Sequence, residues 1–197
     1  MNDITVSGRF ALYSDFNCPF CYAMHERLYT YGVMGRVEWR GVQHAPHLPI
    51  PMARWNGRLL EELRHEVAMV RRLAPMLPIS VPEGKPNTRP AIQLAARVLA
   101  RNVVQGSELV RRLYWLFWRD GQDISDVGVL NEARASLGLD SQGVIEKDEA
   151  TALIPDGWDH FWRSTGQAGV PLLERTDGTL LVGLARESDL DRFLAAP

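Results

Sequence analysis

Cysteine is scarce in this chain of 197 residues: there are two, and both lie in the run Cys18-Pro19-Phe20-Cys21. That spacing cannot staple distant segments together, so a disulfide scaffold is excluded as the source of stability. No charge of one sign prevails. Lys and Arg number 22 against 24 Asp and Glu, and the formal net charge of −2 gives no electrostatic reason to expect nucleic acid or an anionic membrane as partner. Long apolar runs are missing too. Charged residues interrupt each run well before the roughly 20 positions that a membrane-spanning helix needs. Met1 to Phe10 carry Asp3 and Arg9, without the basic start and apolar stretch of an export signal. The expectation is a soluble, cytoplasmic protein with neither a nucleic-acid nor a membrane partner.

What is present is an ordinary globular make-up, 46% apolar and 23% charged, on a chain long enough to bury a sizeable core. Phe10-Ala11-Leu12-Tyr13-Ser14 reads as a buried strand that runs through Asp15-Phe16-Asn17 into the cysteine pair. Pro19 suits the first position of a helix, where its missing N–H costs nothing, and Phe20, Ala23, Met24, Leu28 and Tyr31 continue the stripe toward Gly32. Cys18 is thereby placed at the N-cap. Val37 to Val42 reads as a second strand, and Pro46 to Pro51 as its exit loop.

Helical stripes fill the middle. They run through Leu59, Leu63, Val67 and Val70; Ile92, Ala95 and Val98; Leu109, Leu113 and Leu116; Val127, Leu130 and Ala133; and around Ala150 to Trp162. After Gly169-Val170-Pro171 the pattern changes to a hairpin, Leu172 to Arg175 and Thr179 to Gly183 about an Asp177-Gly178 turn, followed by a last helix capped near Ser188. The organisation is an α/β frame, 1–52 (βαβ) with 167–197 (ββα), holding an inserted all-helical block at 53–166.

A Cys-x-x-Cys pair in a reducing compartment either cycles between dithiol and disulfide or binds metal. Zinc is the competing reading. Cys18, Cys21 and His25 could face one another on successive turns, but a closed site wants four protein ligands and no fourth is evident, so no metal is expected. Covalent haem attachment fails because Tyr22 stands where a histidine is required. For the redox reading, the helix N-terminus favours a thiolate at Cys18. Cys21, a turn further in and more buried, is placed to resolve a mixed disulfide.

Ser14-Asp15-Phe16-Asn17-Cys18-Pro19-Phe20-Cys21-Tyr22, the helical middle, and Gly169-Val170-Pro171 ahead of a hairpin together resemble the DsbA family of thioredoxin-fold oxidoreductases, particularly its FrnE-like members. The resemblance spans nearly the whole chain. It implies that Pro171 is a cis-proline beside the cysteines, and that the backbone of Val170 offers strand-like hydrogen bonds to a bound peptide or glutathione. It also implies that Pro19 and Phe20 tune the redox poise. The family pattern often has a histidine directly before its second cysteine, and Phe20 departs from it. Lys85 to Pro90 resembles the Asn-Thr segment that borders the cleft in the related isomerases and kappa-class glutathione transferases, which makes Asn87 a candidate cleft residue, whereas Thr88 and Pro90 fit a plain helix start.

Asp15 could take part in proton transfer, although an aspartate before a helix more commonly serves a turn or cap. His25 is expected on the outer face of its helix, and His44 and His47 on a surface loop that could line the cleft. The tryptophan pairs Trp115 with Trp118 and Trp158 with Trp162 are expected in packing. The expected activity is thiol–disulfide exchange or isomerisation on protein or small-molecule thiols and disulfides. No tightly bound cofactor is expected, and glutathione or a similar thiol is a possible co-substrate. The alternative is a glutathione-dependent isomerase or transferase of the 2-hydroxychromene-2-carboxylate isomerase or kappa-class type, which usually has serine in place of Cys18. A third reading is a peptide-holding module with the cysteines as a switch.

Overall fold

The computed structural model describes residues 10–139 and 149–195. Residues 1–9, on which the reading of the chain's start rests, lie outside the described residues. So do 140–148 and 196–197.

Four strands form one sheet in the order β2-β1-β3-β4. β1 (Phe10–Ser14) is buried at every position, as a central strand covered on both faces must be, which is why its sequence is a continuous apolar run and not an alternation. It pairs in parallel with β2 (Val37–Gly41) and antiparallel with β3 (Leu172–Arg175). β3 turns through Asp177-Gly178 into β4 (Leu180–Val182). Gly178 supplies the positive φ of 81° that the turn requires.

α1 (Pro19–Thr30) links β1 to β2, with Cys18 as its N-cap and Gly32 closing it in the left-handed region. Among the described residues, six α-helices lie between β2 and β3: α2 (Gly57–Leu73), α3 (Arg89–Arg101), α4 (Val103–Trp118), α5 (Val127–Ala135), α6 (Glu149–Ala152) and α7 (Ile154–Ser164). α8 (Glu187–Ala195) ends the described chain. Among the described residues no helix is long and apolar enough to cross a membrane.

Three details differ from the sequence reading. A single turn of 3-10 helix, Met34–Arg36, precedes β2. The apolar stripe from Ala150 to Trp162 is two helices, because Pro155 in the first turn of α7 has no N–H to continue α6. The last helix begins at Glu187, so Ser188 sits within its first turn instead of capping it.

Frame and helices share one core. Phe16, just after β1, packs on Trp39 of β2 at 5.0 Å and on Tyr114 of α4 at 4.9 Å between ring centroids. α3 and α4 are joined at Asn102, whose side chain caps α4 through the Gln105 amide. At Gly106 the two helices approach so closely that a Cβ would lie 2.7 Å from the Leu99 Cα. Gly106→Ala should therefore lower stability by about 1–3 kcal/mol despite alanine's better helix propensity. A urea midpoint equal to or above the parent's would show that the helices separate without cost.

Candidate active site

The loop Asp15-Phe16-Asn17 delivers Cys18 to the start of α1, and it is held from two sides. Trp118 of α4 donates its indole N–H to the Phe16 carbonyl at 2.8 Å, and the Asn17 amide donates to the Pro86 carbonyl at 2.9 Å. The Cys18 N–H closes the turn on the Asp15 carbonyl at 3.2 Å. Cys18 is extended, φ −99° and ψ 117°, before α1 begins with Pro19.

The two sulfurs are not joined. Cys18 keeps 7% of its surface exposed and Cys21 none, so only the first can meet an outside partner without movement. Their environments push the thiols in opposite directions. A hydrogen bond shared with the Cys21 thiol holds Cys18 below its ordinary value against the opposing effect of burial, with help from the Cys21 amide and the positive charges of His44 and Lys85. Burial first, then the adjoining Cys18 sulfur, pushes Cys21 well above. Behind Cys21, the Ser14 and Tyr114 hydroxyls share a hydrogen bond of 2.6 Å.

Across the gap the Val170 carbonyl oxygen lies 3.6 Å from Cys18 Sγ, although the two residues are 152 positions apart in the chain. The Val170–Pro171 peptide is cis. This turn is held in its own right: Trp162 of α7 donates its indole N–H to the Gly169 carbonyl at 3.3 Å, and the Gly183 N–H donates to the Pro171 carbonyl at 2.8 Å. Trp118 and Trp162, expected in packing, thus each also fix the backbone beside one of the two site residues. Trp158 meets Trp39 edge-on at 5.8 Å, a packing contact, and Trp115 lies beside the guanidinium groups of Arg111 and Arg119.

Asp15 is fully buried and does more than shape a turn. One oxygen, Oδ2, accepts the His44 backbone N–H at 3.0 Å and lies 2.7 Å from the His44 ring Nδ1; the other, Oδ1, is buried with no hydrogen-bond partner. The Asp15 N–H reaches Cys21 Sγ at 3.4 Å. His44 therefore is not a free loop histidine: its side chain is 31% exposed. Burial pulls the imidazolium down, but the Asp15 carboxylate and the neighbouring Cys18 sulfur together hold its pKa above the ordinary value. Lys85, which opens the segment that resembles a cleft border, is buried and paired with Glu66 at 2.6 Å.

The remaining candidates divide. Asn87 is not free: its carbonyl oxygen accepts from Gln43 at 2.6 Å and from the Arg89 N–H at 3.1 Å, and its amide donates to the Leu48 carbonyl at 2.7 Å. It joins the loop after β2 to the start of α3. Thr88 occupies the N-cap of α3 without a capping bond, and its buried hydroxyl has no partner. His47 is exposed. Pro19 opens α1 and is buried, and Phe20 is partly buried against the core. His25 is the plain correction: it is wholly buried, not on an outer face, with its ring 5.0 Å from that of Tyr114. α1 is covered by α2 on one side and α4 on the other, so it has little outer face at this turn. Among the described residues no group of three or more His, Cys, Asp or Glu is placed to hold a metal ion.

Several solved structures share this architecture. A probable DsbA oxidoreductase from Streptomyces coelicolor superposes with a TM-score of 0.74 at 19% identity, covering 94% of this chain and 88% of the other. The cytosolic disulfide reductase DsbM from Pseudomonas aeruginosa, solved with GSH, gives 0.70 at 19% identity, with 94% and 96% covered. A 2-hydroxychromene-2-carboxylate isomerase gives 0.70 at 18%, with 94% and 93% covered. No curated protein sequence matches the chain. At these identities the likenesses show the fold alone, a four-stranded sheet with helices in the thioredoxin-like DsbA arrangement. The family comes from the sequence itself: the DSBA-like thioredoxin domain matches residues 10–195, and the chain belongs to that family.

Proposed function

We propose that this protein is a thiol–disulfide oxidoreductase in which Cys18 attacks and Cys21 resolves. The observation that carries the reading is the placement of one activated, accessible sulfur at a helix start, 3.6 Å from the Val170 carbonyl, with a second, sealed sulfur behind it. The Cys18 thiolate attacks a substrate disulfide RS–SR′, forming Cys18–S–SR and releasing R′S⁻, which takes up a proton. The Cys21 sulfur then attacks Cys18 Sγ, forming the Cys18–Cys21 disulfide and releasing RS⁻, which takes the Cys21 proton. A dithiol becomes a disulfide as a disulfide becomes two thiols. Val170 and Pro171 supply the wall against which an extended substrate backbone lies.

Protein or small-molecule disulfides are the substrates in this reading, glutathione is the co-substrate or recycling thiol, and the cytoplasm is the compartment. The cytosolic reductase solved with GSH has the same fold, which supports this reading.

Mass spectrometry after addition of glutathione disulfide tests it. The wild-type protein should lose two hydrogens per chain and retain no glutathione, whereas Cys18→Ser should lose no hydrogens and take up no glutathione. The second reading, glutathione-dependent isomerisation, draws on the likeness to the isomerase. Steady isomerase turnover by Cys18→Ser with added glutathione would establish it in place of exchange.

A further inference from the structure

The dipeptide between the cysteines, Pro19-Phe20, holds no ionisable group. An imidazole nevertheless reaches this site from another part of the chain. His44 lies on the loop after β2, beyond the end of the strand that pairs with β1, and Val42 is fixed there by its N–H to the Ser14 carbonyl at 3.0 Å. Asp15 binds this histidine twice, at the backbone N–H and at the ring. The same aspartate touches both cysteines through its main chain, accepting from the Cys18 N–H at 3.2 Å and donating to Cys21 Sγ at 3.4 Å. One residue thus ties the ring to the sulfur pair. The charged groups around His44 are Asp15 from the loop before α1, Cys18 from the start of α1, and Lys85 from the loop before α3; Lys85 is itself paired with Glu66 of α2.

We propose that His44, positioned by Asp15, is the acid–base residue of this site: it holds the proton lost by Cys18 and delivers it to the first sulfur that leaves the substrate. The inference rests on the exchange reading above. Nδ1 is committed to the buried carboxylate, which leaves Nε2, on a side chain 31% exposed, as the ring nitrogen free to exchange a proton. In the first step Cys18–S⁻ and RS–SR′ give Cys18–S–SR and R′S⁻, and the imidazolium converts R′S⁻ to R′SH while becoming neutral. No external oxidant or reductant enters beyond the substrate disulfide. Asp15 acts through His44 and is a positioning residue.

A proton donor matters most when the leaving thiolate is basic, and this separates the proposal from a merely structural role. Two disulfides probe it: glutathione disulfide, which releases an alkyl thiolate, and an aromatic disulfide that releases a stabilised nitrothiobenzoate. In H44Q the rate with glutathione disulfide should fall about tenfold or more relative to the aromatic rate near neutral pH, within the range of general-acid effects. D15N should move the same ratio in the same direction by less, since the ring remains. In the wild type the ratio should decline as pH rises through the His44 titration, and in H44Q it should be flat over that range.

Any fall in the amount of folded protein slows both disulfides alike and leaves the ratio intact. A Cys18-dependent reaction whose ratio is the same in H44Q and wild type overturns the His44 assignment alone. Disulfide turnover that survives Cys18→Ser overturns the exchange reading and the His44 assignment with it.

Discussion

A Cys21→Ala variant mixed with glutathione disulfide is expected to stop half-way, carrying one glutathione on Cys18, while Cys18→Ala carries none. The expectation follows from the opposite settings of the two thiols. Cys18 is held down by its hydrogen bond from Cys21 and by two nearby cations and keeps 7% of its surface open; Cys21 is pushed up and has no exposed surface. Each unit between two thiol pKa values changes the ratio of their thiolate fractions tenfold, and burial adds to the difference. Iodoacetamide at neutral pH should therefore modify Cys18 on the order of 100-fold faster than Cys21 in the reduced protein. Peptide mapping after timed alkylation gives both rates. Equal trapping by the two variants, or faster labelling of Cys21, would reject the assigned roles.

Loss of Glu26 should be the most damaging single change outside the site. This side chain of α1 accepts both the Nε and Nη2 protons of Arg111, at 2.8 and 3.0 Å, the Trp115 indole N–H at 3.2 Å, and an Arg119 proton at 3.4 Å. All four come from α4 or from Arg119, the residue that caps its end, so one carboxylate bolts the helix that carries the cysteines to the helix whose Trp118 holds the Phe16 carbonyl. Removing one partner of such a buried group leaves two guanidinium groups without their counter-ion, and costs about 3 kcal/mol, or roughly 6–12 °C in melting temperature for a chain of this size.

The pH dependence has a definite sign. Burial alone would raise the Glu26 carboxyl, but the adjacent His25 ring, 3.8 Å away, and the hydrogen-bonded Arg111 guanidinium outweigh it and bring the pKa from 4.5 to about 2. A carboxyl depressed in the fold contributes stability above its unfolded value and loses that contribution as pH falls from 4.5 toward 2. His25 acts earlier. Burial lowers its pKa from 6.5, so the unfolded chain takes up a proton there before the folded one, and stability begins to decline below that pH. Glu26→Ala should flatten the lower stage of the curve. Chemical denaturation at a series of pH values checks both points, and a variant whose acid slope matches the parent's would reject the second.

Much of the frame is written locally. The run Phe10 to Ser14 and the first residue of α1 can be read from apolar periodicity and from what proline tolerates, because those signals act over a few positions. The Cys18–Cys21 relation is local as well. Trp118 and Trp162 were not legible as site residues, and His44 and Lys85 only as members of loops that could border the cleft, because what places them at the cysteines is the return of distant segments and not any pattern around them. His44 looked like a loop histidine until a buried aspartate, 29 positions earlier, was found to hold it. His25 was placed on the wrong face because α1 is covered from more than one side, so a single apolar stripe did not describe it. The partners of Asn87, the candidate cleft residue, could not be named from the sequence, because Gln43 and Leu48 belong to another loop.

The two indole bonds, from Trp118 to Phe16 and from Trp162 to Gly169, have a consequence for any attempt at miniaturisation. Residues 10–52 joined directly to 167–195 would keep both cysteines and every described strand, yet lose both clamps and leave Phe16 and Tyr22 bare on a surface that Tyr114 now covers. Such a truncated chain should aggregate before it reacts. The helical segments are thus scaffolding for the reacting geometry, and exchanging them between relatives should alter reactivity even where each cysteine and proline is kept.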